Sequence, residues 1–319
     1  MTAKLTAALV LLAAGVLLLP TAATAAPGDP KPANIKLKLK GLSGGKVKVP
    51  GRATAVGRVW PFVPNQRIRV RFYRGGRIVK GKHLTARRVP GRNVGAFKLR
   101  SSVLTKPGKH RVKAWKPPTA EQAGAKARSK AFELAFPRLS FGNRNSAVRL
   151  FNRLLRKRGY HAPKGEKFSS GTARAVLAFR KVNRMSRTTR ATPGIFKALA
   201  AGKGAFKLRH PGAGRHVEVD ISRQVMVLAN KGEPKHTFHI SSGKASTPSD
   251  RGHFRFFRRQ PGYNSIGMFW SVYYNGGEAI HGYKSVPTYP ASNGCIRNPE
   301  ANSKFIYDWV RLGMSIYVY

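Results

Sequence analysis

The sequence predicts a multidomain α+β protein: an N-terminal antiparallel β-sandwich, a small three-helix bundle and a C-terminal mainly-β domain. Three observations predict it. With 319 residues the chain is too long for one ordinary core. Its apolar residues alternate up to residue 137, take helical spacing over 138–203, and alternate again over 204–319. The charge is also uneven. Within a formal net charge of +50, residues 205–319 hold 15 Lys+Arg against 7 Asp+Glu, while residues 1–204 hold 46 against 4.

Taken in order, residues 1–25 read as a signal peptide. Lys4 gives a positive start, Leu5 to Leu19 is an apolar run, and Ala23-Thr24-Ala25 is the small-residue pattern at which signal peptidases cut. The run is too short for a comfortable span and no second apolar stretch follows, so no stable membrane span is expected. A retained N-terminal anchor is the alternative. The mature chain is expected to be secreted, at the cell wall or outside the cell, starting near Ala26.

Residues 26–33 are a Pro- and Gly-rich leader. Over 34–137, Ile35, Leu37 and Leu39 alternate with lysines, and Ile68, Val70 and Phe72 alternate with arginines. Gly75-Gly76 reads as a hairpin turn, and Lys106-Pro107-Gly108 as another turn before Val112, Ala114 and Phe132 to Phe136. Short strands with regular turns predict the sandwich, which resembles immunoglobulin-like domains in pattern alone. Over 138–203, Val148, Phe151 and Leu155 line one helix ending at Gly159-Tyr160. Ala175, Val176 and Phe179 line a second, entered through Ser169-Ser170-Gly171-Thr172, and Ile195, Ala198 and Leu199 a third. Over 204–319, Val217, Val219 and Ile221 alternate before a turn near Ser222-Arg223, and Val225, Val227 and Leu228 follow. Asn298 is expected to cap a last helix with Pro299 at its first position. Ala301, Phe305, Trp309 and Leu312 share its apolar face, and Gly313 stops it.

The chemistry concentrates near the C-terminal end. Cys295 is the only cysteine, so an internal disulfide is excluded. It follows Asn293-Gly294, and a glycine there lets backbone approach a reacting carbonyl while successive N–H groups hold an oxyanion. A thiol needs a base, and His281 lies fourteen residues upstream in Ile280-His281-Gly282. His236, His239 and His253 suggest no metal, because His236 and His239 fall on opposite faces of a strand without carboxylates.

The segment His281-Gly282…Ala291-Ser292-Asn293-Gly294-Cys295-Ile296-Arg297 resembles the signature of the L,D-transpeptidase (YkuD-type) catalytic domain. Its usual form is His-Gly, a loop, then Ser-His-Gly-Cys-hydrophobic-Arg. Val217 to Leu228, Ile240-Ser241-Ser242-Gly243…Thr247-Pro248…Gly252-His253-Phe254 and Phe305 to Gly313 resemble further parts of the family in the same order. The stretch from Val148 through Phe151-Asn152, Gly159-Tyr160 and Phe168 to Phe179-Arg180 resembles the three-helix peptidoglycan-binding domain, with Asn152 and Arg180 where that family has Gln.

The resemblance implies a cysteine-dependent acyltransferase of peptidoglycan biosynthesis acting on stem peptides. Cys295 attacks a stem tetrapeptide, D-Ala leaves, and a neighbouring stem resolves the thioester as a 3→3 cross-link. His281 is then the general base, the Gly282 carbonyl orients its ring, and the N–H groups of Gly294 and Cys295 bind the oxyanion. Arg297 and Ser292 stand on the substrate side, Arg297 against a carboxylate and Ser292 in a more structural part. Asn293 stands where the family has histidine, and an amide can keep a hydrogen bond there but not a charge. No metal or organic cofactor is implied. An L,D-carboxypeptidase using the same site, or a catalytically silent basic wall-binding protein, are the alternatives. The basic upstream domains suit anionic wall polymers, with general solubility as the plain reading of their charge. Specific nucleic-acid binding is not expected, given the secretion signal and the lack of a zinc-finger or RNA-motif pattern.

Overall fold

The computed structural model describes residues 29–319, so the signal peptide and the first residues of the leader lie outside the described residues. Among the described residues no helix is long and apolar enough to cross a membrane.

The first stretch forms β1 (Asn34–Lys40), β2 (Lys46–Lys48), β3 (Thr54–Trp60), β4 (Arg67–Arg74), β5 (Arg77–Thr85), β6 (Arg87–Arg88), β7 (Gly95–Arg100), β8 (His110–Lys116), β9 (Ala125–Arg128) and β10 (Glu133–Ala135). Two four-stranded antiparallel sheets result, ordered β1-β3-β7-β6 and β5-β4-β8-β9, with a parallel β10-β2 pair beside them. Alternation assigns the faces. Ile68, Val70 and Phe72 of β4 and Val112 and Ala114 of β8 are buried in one apolar cluster with Ala55 and Val59 of β3. The intervening Arg and Lys residues of β4 and β8 are left on the outward face.

Three helices follow: α1 (Ser146–Lys157), α2 (Ser170–Val182) and α3 (Pro193–Ala200). Asn145 Oδ1 accepts from the N–H groups of Ala147 and Val148 at 3.0 and 3.1 Å, which satisfies two of the free donors that open α1. Thr192 caps α3 ahead of Pro193. The stripes Val148/Phe151/Leu155, Ala175/Val176/Phe179 and Ile195/Phe196/Leu199 meet in a common core.

The last part holds β11 (His216–Asp220), β12 (Val225–Asn230), β13 (Glu233–His239), β14 (Gly252–Arg255), β15 (Arg258–Tyr263), β16 (Phe269–Asn275), β17 (Glu278–Tyr283), β18 (Ile296–Pro299), α4 (Glu300–Trp309) and β19 (Ser315–Val318). They form a five-stranded sheet, β13-β12-β11-β19-β14, and a four-stranded sheet, β15-β16-β17-β18. Strand β12 is buried on both faces. Val225 and Val227 join the upstream core, while Met226 and Leu228 join the core shared by the two C-terminal sheets. The helices are tied to this sheet directly. Gly159 and His161 exchange backbone hydrogen bonds with Thr237, and buried Lys181 of α2 donates to the carbonyls of Gln224 and Ile240 at 3.1 and 2.9 Å. Burial lowers the Lys181 ammonium to about 7, with Arg187 adding to the effect.

Three expectations for the last helix are corrected. Asn298 does not cap it. Parallel pairing of β18 with β17 runs on to Pro299, which takes the cap position, and the Asn298 amide instead donates to the His281 carbonyl at 2.8 Å. The buried face of α4 is Asn302, Ser303 and Ile306, while Ala301, Phe305 and Leu312 are exposed. The helix ends at Trp309, before Gly313. The reason is space: the helix lies so close to β17 that small polar side chains face inward. Phe305 packs instead on His161, just after α1, and on His236 of β13, at centroid distances of 4.5 and 4.7 Å.

Candidate active site

Strand order brings His281 beside the segment that follows Cys295. Strand β17 is paired on one edge with β16 and on the other with β18, in parallel, with Ile280 opposite Ile296 and His281 opposite Arg297. Adjacent parallel strands need a return segment of about a dozen residues, and residues 284–295 supply it. Because paired residues of neighbouring strands share a face, Arg297 projects to the same face as His281, and Cys295 lies in the bend just ahead of β18. The fourteen-residue spacing is thus the length of one parallel return.

The imidazole is held at one nitrogen. His281 is buried, and its Nδ1 lies 2.8 Å from the Gly282 carbonyl, which can only accept. In the neutral ring the proton therefore sits on Nδ1, leaving Nε2 as the acceptor. Burial lowers the His281 pKa to about 4, against the raising effect of the Gly282 carbonyl and with the Arg297 guanidinium lowering it further. Gly282 also fills a second need. A Cβ on it would stand 2.1 Å from Ser303 Oγ and 3.1 Å from Glu300 Cα, so only glycine lets α4 pack here.

Cys295 is half-buried and free. Its Sγ donates to the Gly277 carbonyl at 3.7 Å. Burial raises the thiol pKa; a hydrogen bond from the Ala279 backbone opposes this, the Glu278 carboxylate adds to it, and Arg297 opposes it. Thiol and imidazole are therefore both neutral near pH 7 rather than a preformed ion pair. Gly294 sits at φ +104, where an L side chain is strained. Its carbonyl accepts from Ser249 Oγ. The N–H groups of Gly294 and Cys295 make no hydrogen bond among the described residues.

The remaining expected residues divide. Ser292 is buried and its hydroxyl donates to the Cys295 carbonyl, so it shapes the loop. The Arg297 guanidinium lies 4.1 Å from the Tyr283 ring centroid and donates through one Nη to the Ala291 carbonyl at 3.1 Å. Asn293 is exposed and its side chain makes no hydrogen bond among the described residues.

Other residues complete the surroundings of the site. Glu278 accepts from the Asp250 N–H at 3.0 Å and its own pKa is raised, chiefly by burial. Ser241 exchanges backbone hydrogen bonds with Arg297 at 2.9 and 3.0 Å, while the Ser242 carbonyl accepts from Ala291 and Ser292 at 2.9 and 3.0 Å. Gln224 in turn holds Ser242 through both ends of its amide, at 2.6 and 2.9 Å. The motif Ile240-Ser241-Ser242-Gly243 could have pointed to this cradle; Gln224 and Glu278 lie in no motif.

Comparison with known proteins gives the family of this part of the chain. Residues 214–318 match the family model described as the L,D-transpeptidase catalytic domain, and this segment of the chain is such a domain. Solved structures agree. The chain is similar to an L,D-transpeptidase from Xylanimonas cellulosilytica at 28% identity and a TM-score of 0.52, over 57% of this chain and 97% of that one. Weaker likenesses, to L,D-transpeptidases from Stackebrandtia nassauensis (18%, TM-score 0.36, 57% and 94% covered) and Mycobacterium tuberculosis (15%, TM-score 0.31, 33% and 57% covered), carry no weight of their own. No curated protein matches the chain.

Proposed function

We propose that this chain is an exported peptidoglycan L,D-transpeptidase that works through a thioester on Cys295. The observation that supports the reading is the pairing of β17 with β18, which sets His281 opposite Arg297, two residues after Cys295, while the Gly282 carbonyl at Nδ1 leaves Nε2 as the acceptor. The thiol proton passes to Nε2 as sulfur bonds to the carbonyl carbon between the third stem residue and terminal D-Ala. The oxyanion takes the N–H groups of Gly294 and Cys295. The C–N bond then breaks, His281 returns the proton to the leaving amine, and D-Ala departs. The side-chain amine of a second stem attacks the thioester, gives its proton to His281, and frees the thiol with a 3→3 cross-link formed.

Arg297 is placed to counter negative charge on sulfur and to meet a stem carboxylate with the guanidinium edge that Ala291 leaves free. Residues 34–137 are read as an immunoglobulin-like sandwich and 138–203 as a peptidoglycan-binding-like helical domain, with anionic wall polymers as a further partner of the basic upstream part. The test is mass spectrometry of the protein with a stem tetrapeptide, beside Cys295→Ala. The expected result is a thioester adduct, D-Ala release and a cross-linked dimer with wild type alone. Tripeptide without dimer would make the enzyme a carboxypeptidase, and no adduct on either protein would refute the reading.

A further inference from the structure

The outward face of sheet β5-β4-β8-β9 carries a cleft of about 560 Å³ lined by Arg69, Arg71, Tyr73, Lys113, Trp115, Lys126 and Arg128. Register arranges these side chains in rows across three strands. Arg69 lies opposite Trp115 and Trp115 opposite Lys126; one step along, Arg71 lies opposite Lys113 and Lys113 opposite Arg128. Neighbouring strands are about 4.8 Å apart, and same-face residues along a strand about 7 Å. The second row therefore sets three cations side by side.

Like charges directly opposite on adjacent strands are unfavourable, and nothing in this part of the chain offsets them. Glu121 and Glu133 are the only acids between residues 34 and 137, and neither lines the cleft. The ion pairs among the described residues all fall outside that range. The aromatic rings are part of the same surface: Arg69 lies 4.8 Å from the Trp115 ring centroid and Lys113 5.1 Å from that of Tyr73. Along the floor, Gly81 stands opposite Arg71, so β5 raises no side chain against the row.

We infer that this cleft is a binding site for a phosphodiester-linked polyol chain of the cell wall, with the row Arg71–Lys113–Arg128 taking successive phosphates and Trp115 and Tyr73 covering the polyol carbons. Guanidinium forks match phosphate oxygens, and flat aromatic faces accept C–H surface between the charges. A row of unpaired cations across three strands fits a polyanion rather than a single ion. The choice of a wall polymer over nucleic acid rests on the exported reading above; binding is read without turnover, so failure of either reading is seen separately.

The experiment is calorimetric titration of the full chain with synthetic poly(glycerol phosphate) of defined length. Competitors are a single-stranded DNA oligonucleotide of equal charge and phosphatidylglycerol vesicles. Arg71→Gln/Lys113→Gln/Arg128→Gln is expected to weaken binding at least about tenfold and to flatten its salt dependence. The charge-matched Lys36→Gln/Lys38→Gln/Lys40→Gln, on exposed positions of β1, is expected to weaken it less than about twofold. The thermal midpoint of the first variant should equal or exceed that of wild type, because repulsion is removed. Equal losses in the two variants, a lower midpoint in the first, or tighter binding to the oligonucleotide or the vesicles would each overturn the assignment.

Discussion

Gly282→Ala is the substitution on which the candidate site depends most sharply. Gly282 is not among the residues at positive φ, so the constraint is space alone. The added Cβ would meet Ser303 Oγ at 2.1 Å, Ser303 Cβ at 3.0 Å and Glu300 Cα at 3.1 Å. Swinging the hydroxyl away sacrifices its hydrogen bond to Asn298 Oδ1 at 3.0 Å, worth about 1 kcal/mol. The backbone of α4 must then also retreat, and overpacking of this kind costs about 1–3 kcal/mol. The sum, about 2–4 kcal/mol, falls on the residue whose carbonyl holds His281 Nδ1. Scanning calorimetry should show a lower midpoint for the C-terminal transition, and D-Ala release should fall at least about tenfold. Ser303→Ala removes the 2.1 Å contact and leaves the other two, so Gly282→Ala/Ser303→Ala should recover about half of the lost stability. A Gly282→Ala protein within about 0.5 kcal/mol of wild type, or no recovery in the double variant, would refute the packing argument.

Three further outcomes follow from the same geometry. Because the base must be unprotonated and burial sets His281 at about 4, kcat/KM should be flat through pH 6 and fall only as pH drops through about 4; a limb near 6.5 would contradict it. Glu278→Gln removes a carboxylate that raises the Cys295 pKa, so iodoacetamide should label Cys295 several-fold faster at pH 7, and an unchanged rate would remove Glu278 from the site. Glu218 is fully buried. Desolvation raises its pKa, but hydrogen bonds from His216, the Arg209 and His210 N–H groups and Tyr319 outweigh this and hold it at about 2. A carboxyl depressed on folding stabilises above its ordinary 4.5 and ceases to as pH falls through about 2. Glu218→Gln should thus cost roughly 3 kcal/mol at pH 7, with the gap to wild type closing between pH 4.5 and 2 in denaturation curves.

Much of the site was legible because its chemistry is written in local order. Cys295 after a glycine, His281 before one, and the Arg297 that follows can be picked out without coordinates, and the helices over 146–200 announce themselves by apolar spacing, whereas the caps Asn145 and Thr192 were seen only in the structure. Gln224 and Glu278 were not legible, since each serves a partner 18 and 28 residues away, respectively. The apolar stripe on the last helix misled for the same reason. Phe305 is as hydrophobic as a core residue, yet the surface it covers belongs to His236 of β13 and to His161, which only the docking of the upstream part brings near.

By itself, then, the sequence determined which segments alternate, which take helical spacing, where the charge lies and which thiol and imidazole are candidates for the chemistry, because side-chain period and residue chemistry are properties of neighbours along the chain. The tertiary structure alone decided that β17 and β18 run parallel, that Gly282 must be glycine for lack of room beside Ser303, and that three cations of β4, β8 and β9 stand in one row. Those facts depend on which strand lies beside which, and strand order is set by the burial of whole faces rather than by any single stretch of residues.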